Sequence, residues 1–175
     1  MNQESSAAFA GDPDDLRRLW TPHRLVYVED TLKASTEECP FCVAQERPDE
    51  EALVIARGKY VFAVLNLFPY NSGHLLICPT RHFGSYLDAT AEEREEIDLF
   101  TQSSMRALIE ALGAQGFNIG MNQGTVSGAG VAAHLHQHVV PRWPSDSNFM
   151  PIIAKTKTMP RLLGEVRELL AKKWR

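Results

Sequence analysis

Three histidines alternate along His134-Leu135-His136-Gln137-His138, and Val139-Val140-Pro141-Arg142-Trp143 follows. Alternation at period two is a strand pattern, so the three imidazoles would share one face and Leu135, Gln137 and Val139 the other. A polar, solvated strand face or a tag-like metal binder is the bland reading. The flanks point to more. Gly120-Met121-Asn122-Gln123-Gly124-Thr125-Val126-Ser127-Gly128-Ala129-Gly130 precedes the histidines, and such a loop can bring backbone N–H groups to a phosphate. Imidazole is a competent nucleophile at phosphorus, because about three quarters of it is unprotonated at pH 7. A second cluster is Cys39-Pro40-Phe41-Cys42, which reads as a metal knuckle, a redox pair or two unliganded thiols. A structural metal needs about four ligands, and the candidates for the other two are His82 and His134. No thioredoxin-like context surrounds the pair, which argues against the redox reading.

The His-x-His-x-His-Val-Val run with its glycine loop resembles the histidine triad (HIT) family of nucleotide hydrolases and transferases. The family pattern has an apolar residue where this chain has Gln137. Asn66, a Pro-containing loop and Gly73-His74-Leu75-Leu76 resemble that family's second signature. Trp20-Thr21-Pro22-His23-Arg24, and Pro141-Arg142-Trp143 followed by Asn148-Phe149, resemble its diadenosine-tetraphosphate phosphorylase branch.

The resemblance implies roles. His136 would be the nucleophile of a nucleotidyl-histidine intermediate, which splits one displacement into two. His138 would donate a hydrogen bond to the α-phosphate or leaving oxygen, and His134 would orient the central ring or hold zinc. Asn66 would contact the ribose. Asn122, Ser127 and the amides near Gly128 and Gly130 would cradle phosphates. His74 could approach the site, with a structural role equally open. Structural zinc would be held by Cys39, Cys42, His82 and His134. No carboxylate cluster lies beside the triad in sequence, so no catalytic metal is required.

The second displacement names the enzyme. Attack by phosphate makes it a phosphorylase yielding ATP and ADP, with Arg142, Ser145, Ser147 and Asn148 as a phosphate pocket. Attack by water makes it a hydrolase of dinucleoside polyphosphates or nucleoside phosphoramidates. Water is roughly 10⁴-fold more concentrated than millimolar phosphate, so phosphate must gain about 5 kcal/mol from positioning and nucleophilicity. A third reading is a zinc-stabilised nucleotide-binding interaction protein. A sugar-phosphate uridylyltransferase fits less well, since that branch resembles His-Pro-His-Pro-Gln and this chain has His138. A homodimer or larger assembly is expected from the resemblance.

Composition limits the alternatives. The chain has 175 residues, 44% of them hydrophobic, which suits one ordinary domain with a real core. A formal net charge of −4 offers no basic footprint for nucleic acid. No run of about 18 apolar residues is present, so no membrane-spanning helix is expected. The polar, acidic N-terminus does not read as a signal peptide, so a cytoplasmic chain without disulfides is expected.

The elements that must position these residues follow. Residues 1–14 read as a disordered arm and 15–175 as a single domain. A short helix is expected at Asp15–Trp20 and a strand at Leu25–Val28. Arg47–Glu51 reads as a charged loop. Leu53–Arg57 and Tyr60–Leu67 form a hairpin across Gly58-Lys59, and Gly73–Pro79 is a third strand. Ala89–Leu112 is the one long helix, with a Thr90/Glu93 capping box, an inward stripe of Ile97, Phe100, Ser104, Leu108 and Ala111, and Gly113 as terminator. Gly116–Asn122 and the triad are the last strands. Arg161–Trp174 is a terminal helix with Leu162, Val166, Leu169 and Leu170 inward. The class is α+β, a HIT-like fold with an antiparallel sheet of about five strands.

Overall fold

A computed structural model describes residues 39–144, 146 and 159–175. The expected arm, the Asp15–Trp20 helix, the Leu25–Val28 strand, the Trp20–Arg24 motif, and Ser145, Ser147, Asn148 and Phe149 lie outside them.

Five strands form one antiparallel sheet: β1 (Val54–Arg57), β2 (Val61–Leu65), β3 (Leu75–Pro79), β4 (Gly116–Gly120) and β5 (Gln137–Arg142), in the order β1-β2-β3-β5-β4. Two short helices, α1 (Pro40–Glu46) and α2 (Asp49–Ala52), precede the sheet. The long helix α3 (Ala91–Leu112) joins β3 to β4, and α4 (Leu163–Ala171) closes the described chain. This is the α+β architecture the sequence implied. Among the described residues, no helix is long and apolar enough to cross a membrane.

Alternation along the strands separates two apolar layers. Val61, Ala63, Leu65, Leu75, Ile77 and Val139 face α3 and join Ile97, Ala107 and Leu108 in the main core. Phe62, Val64, Leu76 and Cys78 face the other way and pack with Val54 and Phe41 of α1. Burial pushes the Cys78 thiol well up, as suits a core residue.

The capping box forms as read: the Thr90 hydroxyl accepts from Glu93 N–H at 3.2 Å and the Glu93 carboxylate accepts from Thr90 N–H at 2.8 Å. Gly113 ends α3 at φ 66°. Glu96 on α3 accepts the N–H groups of Lys59 and Val61, both at 2.9 Å, and also that of Tyr60. One carboxylate thus fastens the helix to the β1–β2 turn.

Four expectations are corrected. Arg47–Glu51, read as a charged loop, is helical from Asp49, with Pro48 at the N-cap and Asp49, Glu50 and Glu51 in the first turn, where the helix dipole favours acidic residues. Cys39-Pro40-Phe41-Cys42 does open a helix, with Cys39 at its N-cap and Pro40 in its first turn. Leu162 is exposed at 74%; Val166 and Leu170 carry the buried face of α4. The strand ladder begins only at Gln137, so His134 and His136 run ahead of it. The reason is local. The register ends at Ile77 and Gln137, and the Leu135 N–H turns instead to the Phe83 carbonyl at 2.6 Å.

Gln137, the departure from the apolar pattern, lies under α3. Its amide donates to Thr101 Oγ1 at 2.6 Å, and that hydroxyl donates to the Ile97 carbonyl at 2.7 Å. A buried polar group is tolerated when it is hydrogen-bonded.

Candidate active site and metal quartet

The triad face of the sheet carries a row of imidazoles. Ring centroids are 5.0 Å apart for His136 and His138, and 5.1 Å for His138 and His74. At the other end, His82 and His134 are 5.0 Å apart. The chain positions each ring separately. His138 lies on β5 opposite Leu76 of β3 and Gly120 of β4. A Cβ at Gly120 would meet nothing within 4 Å, so that flank of His138 is bare. His74 lies one residue before β3, where the Asn66 N–H donates to its carbonyl at 2.9 Å.

Hydrogen bonds to groups of fixed polarity set the tautomers. His134 Nε2 sits 2.9 Å from the Pro79 carbonyl, which only accepts, so that nitrogen carries the proton. Its Nδ1 lone pair then faces Cys39 Sγ at 3.2 Å and Cys42 Sγ at 3.6 Å. His136 Nδ1 sits 2.9 Å from the His134 carbonyl, so Nδ1 is protonated and Nε2 holds the lone pair. Burial lowers the pKa of all three triad histidines, His138 to about 4, where the neighbouring His136 adds to the effect. Burial thus favours the neutral form of all three triad rings.

The Cys39 and Cys42 thiols and the His82 and His134 imidazoles place their ligand atoms within 4.8 Å of one another. Two sulfurs and two nitrogens, with His134 presenting a lone pair, are a donor set that could hold a metal ion. The surroundings fix the quartet. Arg57 donates to the carbonyls of Ala44, Gln45 and Arg47, each at 3.2 Å, and so holds the C-terminal end of α1. Arg81 pairs with Glu93 at 2.8 Å and lies over the Phe83 ring at 4.2 Å, which holds the segment carrying His82. Gly84 lets that segment pass the triad: a Cβ there would sit 2.4 Å from the Ala132 carbonyl oxygen.

The other sequence candidates fall in different places. Asn66 joins the row: its Nδ2 is 3.4 Å from His74 Nδ1, and its Oδ1 accepts the Phe68 N–H at 3.0 Å. Asn122, Ser127, Gly128 and Gly130 are on the loop before the triad, with Gly128 at φ 80°. The Ser127 hydroxyl turns back to the Gly124 carbonyl at 2.7 Å. Arg142 does not join the row. It stands four residues beyond His138, about 13 Å along an extended strand. There it pairs with Asp146 through two nitrogens, at 2.6 and 2.8 Å, and donates to Asn118 Oδ1 at 2.8 Å. Asn148 lies outside the described residues.

Two aromatic rings escaped the sequence reading. Phe41 packs on His134 and His136, at 5.4 and 5.1 Å between centroids. Tyr70 packs on His74 and His138, at 4.7 and 5.8 Å. The available signals were an aromatic residue inside the Cys-x-x-Cys and another four residues before His74.

Comparisons with known proteins agree with this geometry. A family model of the HIT domain matches residues 47–145. The chain is 45% identical over 170 residues to a protein of Mycobacterium tuberculosis named AP-4-A phosphorylase, covering 94% of this chain and 87% of that one. It is 33% identical over 81 residues to the bis(5'-adenosyl)-triphosphatase of Dictyostelium discoideum, covering 46% and 54%. Among solved structures, a zinc-bound histidine triad family protein from Mycobacterium smegmatis superposes with a TM-score of 0.62 at 25% identity, covering 78% of this chain and 92% of that one.

Proposed function

The chain belongs to the HIT domain family, and on that premise we propose that it is a nucleotidyl-histidine enzyme. It splits diadenosine tetraphosphate with inorganic phosphate into ATP and ADP. One observation carries the chemistry: the His136 Nδ1 proton is held by the His134 carbonyl at 2.9 Å, so the lone pair on Nε2 is the nucleophile. The substrate is inferred from the 45% identity to the mycobacterial phosphorylase over nearly the whole chain.

The reaction runs in two displacements. His136 Nε2 attacks the α-phosphorus and forms the N–P bond; the bond to the bridging oxygen breaks, and ATP leaves with that oxygen and its electron pair. His138, a donor through Nε2–H, stabilises the charge on the departing oxygen. Phosphate then attacks the same phosphorus on the adenylyl-histidine, ADP leaves, and His136 regains its lone pair. Asn66 holds the ribose, and Asn122, Ser127 and the amides of Gly128 and Gly130 hold the phosphates.

We assign the quartet of Cys39, Cys42, His82 and His134 to zinc, on the nature of its donors and the zinc-bound solved relative. When bound, zinc ties α1 to the triad segment and takes no part in the displacements. A homodimer or larger assembly of nucleotide-binding protomers in the cytoplasm completes the proposal; among the described residues β4 ends the sheet and offers an edge for pairing.

A hydrolase is the second reading, and one observation favours it: Arg142, offered for a phosphate pocket, is engaged by Asp146. Product analysis with diadenosine tetraphosphate, with and without millimolar phosphate and beside a His136→Ala control, decides. ADP and ATP only when phosphate is present support the phosphorylase. AMP and ATP regardless of phosphate make it a hydrolase. Turnover surviving His136→Ala removes the nucleophile.

A further inference from the structure

The loop between β2 and β3 is tied down at several points. The Asn66 carboxamide accepts the Phe68 N–H at 3.0 Å, and the His74 N–H donates to the Asn71 carbonyl at 3.0 Å. Asn71, only 8% exposed, donates through Nδ2 to the Pro141 carbonyl at 3.0 Å and to the Asp146 carboxylate at 2.8 Å. The loop is thereby pinned to the end of β5, and Tyr70 hangs between its fixed points.

Tyr70 touches the His74–His138 pair in three ways. Its backbone N–H donates to His74 Nδ1 at 3.0 Å. Its ring lies 4.7 Å from that of His74, and stacks on His138 at 5.8 Å with only 15° between the planes. The hydrogen bonds then propagate in one direction. A backbone N–H only donates, so His74 Nδ1 is a lone pair, and neutral His74 carries its proton on Nε2. Asn66 Nδ2 points at the same Nδ1 from 3.4 Å, which agrees, because its oxygen is occupied by Phe68. His74 Nε2 sits 2.9 Å from His138 Nδ1 and donates to it. Neutral His138 must carry its proton on Nε2. That atom is buried and meets no acceptor among the described residues. A buried donor without an acceptor costs on the order of 1–3 kcal/mol, so it is poised for an acceptor that arrives with substrate.

We propose that Tyr70 is a positioning residue: its N–H sets the tautomers of His74 and His138, and its ring clamps the His138 plane so that Nε2–H faces the bridging oxygen of the substrate. This rests on the reading of His138 as the donor to the leaving oxygen. As the bond from His136 Nε2 to phosphorus forms and the bond from phosphorus to the bridging oxygen breaks, that oxygen keeps the electron pair. His138 stabilises it by hydrogen bonding and retains its own proton, so the leaving triphosphate departs as an anion and no proton donor is consumed. Phe41 plays no part in this; it sits at the far end of the row, on His134 and His136.

The test uses Tyr70→Leu, which keeps apolar volume without a stacking plane, and Tyr70→Phe, which keeps the plane. Each is assayed with diadenosine tetraphosphate and with the p-nitrophenyl ester of AMP, whose phenolate leaves without help. Tyr70→Leu should lower kcat about tenfold or more on the dinucleotide, with little change in KM, and at most about threefold on the ester. Tyr70→Phe should recover most of the loss. In parallel, ¹⁵N shifts of the histidine rings should show one His138 tautomer, Nε2–H, in the wild type and also in Tyr70→Leu, which keeps the backbone N–H of residue 70, so the kinetic loss in that variant reads the ring alone. Equal losses on both substrates, a change in KM alone, or a wild-type His138 that carries its proton on Nδ1 would overturn the proposal. If the wild type fails to turn over the dinucleotide, the functional reading falls, and the ring shifts still decide the role of Tyr70.

Discussion

His136 donates its Nδ1 proton to the backbone carbonyl of His134 at 2.9 Å, so a residue of the metal quartet also fixes which nitrogen of its neighbour keeps a lone pair. The bond is a main-chain contact two residues back and survives any change in the His134 side chain. On the proposed mechanism, His136→Ala should lower kcat on the order of 10⁴-fold or more, because it would remove the atom that forms the intermediate. Nucleotide binding should persist, since Asn66 and the glycine loop are untouched. Mass spectrometry of acid-quenched protein checks this: an adenylylated peptide containing residue 136 in the wild type and none in the variant.

The low pKa of His138 has a pH signature with a definite sign. Its folded pKa is about 4, against about 6.5 unfolded, with burial the main cause. Between these values the unfolded chain binds more protons, so stability rises with pH across that window and is lost as pH falls from about 6.5 towards 4. The shift sets an upper bound of about 3 kcal/mol, reduced because His138 keeps some contact with solvent. The His138→Asn protein should show a shallower fall in Tm between pH 7 and pH 5 than the wild type. Parallel curves would contradict the assignment.

The chemistry-bearing residues were legible in the sequence because they are close in the chain and their spacing is informative. His136 and His138 share a row, and Thr90 and Glu93 form their reciprocal cap. What was not legible depends on contacts across the chain. The alternation of His134 and His136 suggested a continuous strand. The ladder stops at Gln137 because Leu135 is paired with Phe83, 52 positions away. Helix α1 was missed because no side chain caps it. Its hold comes from Arg57 and, in our reading, from the metal. Phe41 and Tyr70 are single aromatic residues without periodicity, and only the folded chain shows them at opposite ends of the imidazole row.

Arg57 gives a test of how α1 is held. A seven-residue helix is marginal alone. Arg57 meets three carbonyls near its end and the Asp49 carboxylate at 2.8 Å. Arg57→Met keeps the aliphatic stem and removes the donors. It should destabilise the protein by about 1–3 kcal/mol and weaken metal retention, because Cys39 and Cys42 ride on this helix. Thermal melting and metal content after dialysis against a mild chelator measure the two effects. A normal melt with normal retention would mean that the apolar contacts of Phe41 suffice.

The quartet offers the complementary test from the ligand side. Cys42 Sγ is the atom that meets both imidazoles, His82 Nδ1 at 3.3 Å and His134 Nδ1 at 3.6 Å. Cys42→Ser replaces a soft thiolate by a weak oxygen ligand, so zinc content should drop well below one per chain. Because binding to the folded state alone stabilises it, the loss should appear as a lower Tm that added zinc restores in the wild type and not in the variant. The first displacement should slow less than in His136→Ala, since the His134 carbonyl still holds Nδ1 of His136. That outcome would make the bound metal a fastener of α1 and the triad segment. A Cys42→Ser protein that kept full zinc and an unchanged melt would refute the quartet. One that lost zinc and lost the covalent intermediate as completely as His136→Ala would give the metal a part in the chemistry itself.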